Sequence, residues 1–187
     1  MADDATGKTR TVLSDLAFPN GVCIAHDGRS VLWVSTWLCR IYRYWIEGEK
    51  AGQLELLVDN LPGYPDNINR ASDGNYWAAL LGMRTPALDL AMRMPGFRRR
   101  MARRVAPNQW LYPNINTGCV VKFDEKGNIL ESLWDLGGAN HPMITSMREH
   151  KGYLYLGGVS NNRIGRYKLP GADPNWNAQD FYWGVKP

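Results

Sequence analysis

Three short stretches place oxygen-bearing or ionisable side chains at matching positions: Pro19-Asn20-Gly21-Val22, Pro65-Asp66-Asn67-Ile68 and His141-Pro142-Met143-Ile144-Thr145. Carboxylate and amide oxygens are hard donors of the kind Ca²⁺ gathers, about six to eight at a time. Asn20, Asp66 and Asn67 are therefore candidate metal ligands. The same residue types also cap strand entrances, because Asx side chains accept hydrogen bonds from nearby backbone N–H groups. Residue type alone leaves both readings open. Asp66 also suits a general base acting on a held water. His141 is a second candidate acid/base or substrate contact, with an ordinary turn histidine as its alternative. Thr145 and Trp37 are candidate pocket-lining residues; Trp37, like Arg40, follows a strand and equally suits packing between elements. The sequence has no Gly-x-Ser-x-Gly elbow, no glycine-rich phosphate loop after a strand and no Cys/His zinc spacing.

The elements that position these residues repeat. "FPNGVCIAHDGRSVLWVST", "YPDNINRASDGNYWAALLG" and "HPMITSMREHKGYLYLGGV" each run from a proline to a turn glycine and on into an aromatic-rich strand. Pro19 precedes Gly28 by nine residues, Pro65 precedes Gly74 by nine, and Pro142 precedes Gly152 by ten. Removing an insertion of about thirty residues leaves a period of roughly 45, the length of a four-stranded propeller blade. The expected fold is all-β: about three blades per chain, half of a six-bladed propeller. Strands are expected at 22–25, 31–35, 40–46 and 54–59; at 68–71, 76–80, 118–124 and 129–134; and at 144–148, 153–157 and 163–169. A short closing strand at 181–183 is a further expectation. The third blade lacks an outer strand, and 7–16 reads as an orphan strand able to supply one. Asn20 and Asp66 hold equivalent repeat positions, so radial symmetry brings them towards one axis. Three blades leave exposed edges and faces, so the expected assembly is a homodimer closing a six-bladed ring; the alternative is half of a longer protein.

The chain of 187 residues is 44% hydrophobic and 11% aromatic, with 19 Gly and 11 Pro, which suits one globular β-rich domain over 1–187. The net charge of +4 is local. Arg84, Arg93, Arg98, Arg99, Arg100, Arg103 and Arg104 against Asp89 give residues 84–107 a charge of +6, leaving −2 for the rest. That distribution argues against nucleic acid as a partner. The insertion, 84–116, is expected to form two short amphipathic helices over one end of the fold. Such helices serve as a lid with a solvated arginine face, or lie on an anionic membrane surface. No run approaches a membrane span, and the polar start shows no apolar signal-peptide core, so a cytoplasmic protein is expected. Cys23, Cys39 and Cys119 are read as buried free thiols.

The stretches "LVDNLPGYPDNI" (57–68), "GCVVKFDEKGNILESLWD" (118–135) and "EHKGYLYLG" (149–157) resemble the strictosidine synthase-like proteins, among them the adipocyte plasma membrane-associated proteins. The resemblance covers about residues 4–170 and implies the C-terminal half of a six-bladed propeller. The wider group includes gluconolactonases and paraoxonases, which hold Ca²⁺ at the starts of innermost strands. Asn20 matches their Asn-Gly ligand position, Asp66 their Asp position, and Asn67 the Asp-Asn pair of the paraoxonase type. The resemblance thus implies calcium-dependent hydrolysis of a small ester or lactone. Two further family ligands, a Glu and an Asn, have no counterpart in this chain. Thr145 stands where strictosidine synthases carry a catalytic Glu, which excludes the Pictet–Spengler condensation. The rival expectations are a non-catalytic binding propeller and a truncated remnant.

Overall fold

A strand buried on both faces needs a layer on each side. In the segment from Tyr76, side chains alternate with a period of two. Tyr76, Ala78 and Leu80 point one way, Trp77 and Ala79 the other, and all five are fully buried. The computed structural model, which describes residues 7, 9–106 and 117–177, sets one sheet against each of these faces. The first sheet is β1 (Pro19–Ile24), β2 (Ser30–Ser35), β3 (Arg40–Trp45) and β4 (Leu54–Val58), in that order. The middle sheet is β5 (Gly63–Arg70), β6 (Tyr76–Met83), β7 (Gly118–Phe123) and β8 (Ile129–Asp135). The third holds β9 (Ile144–His150), β10 (Tyr153–Gly158) and β11 (Gly165–Lys168). Every pairing is antiparallel between sequence neighbours. These are propeller blades, and their first strands β1, β5 and β9 lie side by side. The eleven strands expected within the three repeats form, most with ends shifted by a few residues; the strand expected at 7–16 does not, and the one expected at 181–183 lies outside the described residues.

The alternation in β6 divides the core. Leu32, Val34, Ile41, Ile68, Tyr76, Leu80 and Phe123 pack between the first and middle sheets. Trp77, Ala79, Val120, Ile144, Met147 and Leu154 pack between the middle and third. The first sheet's other face is also apolar. Val22 pairs with Trp33, and Ile24 with Val31; Trp33 stacks on Tyr42 with ring centroids 4.6 Å apart. On that face Val22, Ile24, Leu54 and Leu56 are exposed.

This face explains the one misplaced element. Among its described residues, the segment expected as an orphan strand at 7–16 forms no strand and adds none to the third sheet. Val12, Leu13 and Leu16 instead line a groove of about 440 Å³ with Val22, Ile24, Trp33 and Tyr44. Burying apolar side chains on a nearby apolar sheet face needs no long excursion to the far blade. The third sheet therefore has three strands among the described residues.

Two helices stand between β6 and β7, α1 (Pro86–Arg93) and α2 (Pro95–Arg104). Thr85 caps α1, accepting from the Leu88 N–H at 3.3 Å, with proline next in line where its missing N–H costs nothing. Leu88 and Ala91 are buried in the core shared with Cys39, Leu61 and Tyr64. This pins the hairpin at the end of the blades where β1 and β5 begin. No side chain of α2 is buried, and it carries five arginines and no acid. All three cysteines are free and buried, and burial pushes their thiols up to about 11 for Cys23 and about 12 for Cys39 and Cys119.

Candidate functional site

The inner strands approach closely because Gly21 has no side chain. A Cβ there would stand 2.4 Å from the Asp66 carbonyl oxygen and 2.5 Å from the Asn67 Cα. The glycine thus sets the start of β1 against the start of β5 and brings Asn20 to Asp66. The Asn20 amide donates to Thr36 Oγ1 at 3.3 Å, and that hydroxyl donates to the Pro65 carbonyl at 2.7 Å. Thr36 is buried and directly follows β2, so it ties the first blade to the residue preceding Asp66. On the other side Asn67 donates to the Thr145 carbonyl at 2.8 Å and to Asp66 Oδ1 at 3.3 Å. Two residues on, Asn69 donates to the Met147 carbonyl at 2.8 Å. Asn67 and Asn69 share one face of β5, as period two requires, and clasp it to β9.

Asp66 does not behave as a turn cap. Asp27, Asp73, Asp124 and Asp135 all accept backbone N–H groups at turns. Among the described residues Asp66 has no such donor. Its partners are the amides of Asn67 and Asn20. Burial pushes its carboxyl above the usual range, and the Asn20 side chain pulls it partly back; no cationic side chain contributes. A desolvated carboxylate without a cation suits a bound metal ion. The donor chemistry fits Ca²⁺ in kind: one carboxylate oxygen pair, with amide oxygens on Asn20 and Asn67 whose NH₂ groups are already engaged. It does not fill a shell of six to eight or so ligands. No three His, Cys, Asp or Glu side chains converge anywhere among the described residues, so the cluster rests on one acid plus amides.

The structure thus brings Asn20, Asp66, Asn67 and the Thr145 backbone together and adds Thr36 and Asn69, which sequence reasoning missed. Thr36 lies beyond the end of a strand and carries no repeat signal. Asn69 shows only the period-two relation to Asn67. Two expected residues stand elsewhere. His141 does not face the inner strands with Asp66: its ring lies between the middle and third blades, beside Leu156 and Gly165, and burial together with the Arg163 charge lowers its pKa. Trp37 packs edge-on against Tyr64 at 5.8 Å and against Phe18 at 5.4 Å, beneath the helical hairpin. Its bulk is used between blades, and the neighbouring Arg40 pairs with Asp59 at 2.8 Å.

Fold and site together define an array of β-propeller blades with an oxygen-donor cluster where the inner strands begin. Among solved structures, a luciferin-regenerating enzyme superposes with a TM-score of 0.61 at 15% identity, over 93% of this chain and 52% of that one. A calcium-binding protein, regucalcin from Agrobacterium tumefaciens, superposes at 0.50 with 17% identity, over 80% of this chain and 41% of that one. In sequence, a family model for strictosidine synthase matches residues 1–49. Protein strictosidine synthase-like 13 of Arabidopsis thaliana is 34% identical over 171 residues, 90% of this chain and 40% of that protein. The adipocyte plasma membrane-associated protein of Gallus gallus is 32% identical over 171 residues, 89% of this chain and 41% of that protein. The chain is similar to the strictosidine synthase-like proteins along about nine tenths of its length. It spans about two fifths of the length of these relatives.

Proposed function

We propose that the Asn20–Asp66–Asn67 cluster is one wall of a calcium-dependent hydrolase site for small esters or lactones. The observation that carries this is Asp66, a partly desolvated carboxylate clasped by amides from two directions and capping no backbone. The superposed regucalcin is a calcium-binding protein, which supports the same reading. Ca²⁺ held by Asn20, Asp66 and Asn67 would supply Lewis-acid polarisation of a substrate carbonyl. Asp66 would take up the proton of the attacking water. Asn20 and Asn67 orient that carboxylate, and Thr36 holds Asn20. Thr145 offers no acid/base group at the position of the strictosidine synthase glutamate, so an amine–aldehyde condensation is not proposed.

A second copy of the chain completes the ring in this proposal. The exposed apolar face of the first blade, with Val22, Ile24, Leu54 and Leu56, is of the kind that one blade presents to the next. The arginines of α2 border the same end of the molecule as the cluster. They offer a contact for an anionic membrane surface, in keeping with the name of the adipocyte plasma membrane-associated relatives. Among the described residues no helix is long and apolar enough to cross a membrane.

The test is a thermal-shift titration with CaCl₂ against MgCl₂, followed by hydrolysis of phenyl acetate and a δ-lactone with and without EDTA. Calcium at about 100 times its Kd should add about 2.7 kcal/mol of stability. Asp66→Asn should abolish both the shift and the hydrolysis. A calcium-independent activity, or a shift that survives Asp66→Asn, would refute the assignment. Light scattering behind a sizing column reports the assembly, for which a chain of 21.2 kDa remaining monomeric rules out the two-copy ring.

A further inference from the structure

Away from the inner strands, β8 and β11 diverge and leave a cavity of about 420 Å³ between the middle and third blades. Its floor is apolar, formed by Val120, Ile144 and Leu156, with Leu133 and Tyr167 on its walls. A volume of this size is within the range of small-molecule sites.

His141 distinguishes this cavity from a packing gap. Its side chain lines the space and the residue is 6% exposed. The ring leans towards the Leu156 backbone carbonyl without closing a well-formed hydrogen bond, and it has no other hydrogen-bond partner among the described residues. A buried imidazole so poorly paired is unfavourable unless something occupies the cavity beside it. The backbone fixes it there. The His141 N–H donates to Asp135 Oδ2 at 2.7 Å, and its carbonyl oxygen stands 2.1 Å from where a Cβ of Gly118 would be. Gly165 makes room for the ring, since a Cβ there would stand 3.2 Å from Nδ1. Arg163 lines the same cavity and makes no ion pair among the described residues. The acid of the cavity, Asp135, is engaged by the backbone N–H groups of Asn140 and His141. What remains among the described residues is an apolar floor, the His141 ring and two guanidinium groups, that of Arg163 and that of Arg166, which lies over the Tyr153 ring at 4.6 Å. That set recognises an anion with an apolar body.

We propose that this interblade cavity binds a small aliphatic monocarboxylate, its chain on the Val120–Ile144–Leu156 floor and its carboxylate between His141 and Arg163. The proposal is independent of the hydrolase reading, because no residue is shared with the Asp66 cluster.

Octanoate is the probe, titrated into the full chain and followed by calorimetry and by the fluorescence of Trp134, which stands 40% exposed at the rim. Octanol has the same chain without the charge. Octanoate should bind about tenfold or more tighter than octanol. Arg163→Met, at an exposed position, should weaken octanoate about tenfold and leave octanol unchanged. His141→Phe, which fills the cavity with an apolar ring, should abolish both. Asp66→Asn should change neither. Absence of octanoate binding at millimolar concentration, equal binding of octanol, or insensitivity to Arg163→Met would overturn the proposal. Loss of octanoate binding in Asp66→Asn would move the site to the inner strands and overturn it as well.

Discussion

Replacing Gly21 by alanine tests the contact on which the inner-strand cluster depends. The new Cβ would stand 2.4 Å from the Asp66 oxygen, 2.5 Å from the Asn67 Cα and 2.9 Å from the Ile68 nitrogen. All three atoms are backbone, so no side chain can rotate away. Restoring a normal separation of about 3.5 Å requires β1 and β5 to part by about 1 Å. Overpacking of this kind costs about 1–3 kcal/mol. For a chain of this size each kcal/mol lowers the Tm by about 2–4 °C, so a drop of about 2–12 °C is expected. Thermal unfolding followed by circular dichroism measures it. Gly96→Ala is the control, because nothing stands within 4 Å of its added Cβ; it should melt like the wild type or slightly higher. The separation also draws Asn20 from Asp66, so calcium should stabilise Gly21→Ala less than the wild type. A Gly21→Ala protein that melts with the wild type and keeps its full calcium shift would refute the close-approach argument.

Other consequences are measurable in the same protein. Asn69→Ala removes the donor to the Met147 carbonyl and should lower stability by about 1 kcal/mol, read as a lower urea midpoint at unchanged m; an unchanged midpoint removes the clasp. Burial raises the thiol pKa of all three cysteines, so Ellman's reagent at pH 8 should label none in the native protein and all three in urea; rapid native labelling counts against their burial. Asp66 has a folded pKa above its unfolded value. The folded state therefore holds the proton longer, and stability falls as pH rises from about 4 through the folded pKa. In EDTA, Asp66→Asn should flatten that fall, and parallel urea midpoints for the two proteins across this range would contradict the burial of Asp66.

The sequence by itself determined the blades. Alternation fixes which side chains share a sheet face, and Asp-Gly pairs at 27–28 and 73–74 fix the turns, where Gly28 and Gly74 take φ of 72° and 82°. These are local properties, set by the two-residue pleat and by the freedom of glycine at positive φ, so the strand positions were readable without a partner in view. Asn20 and Asp66 were legible for a related reason, as equivalent places in a repeat must converge when the repeats pack side by side. Only the tertiary structure decided the rest. An apolar segment such as 12–16 seeks any apolar face within reach, and its sequence does not name the first blade over the third. His141 reads the same whether its ring enters the axis or the wedge between blades; the vacancies beside Gly118 and Gly165, far away along the chain, send it to the wedge. Thr36 and Asn69 acquire their roles only because β2 ends beside Pro65 and β5 lies beside β9. A hydrogen bond between distant residues depends on placement to within a few tenths of an ångström, and that placement comes from the packed blades.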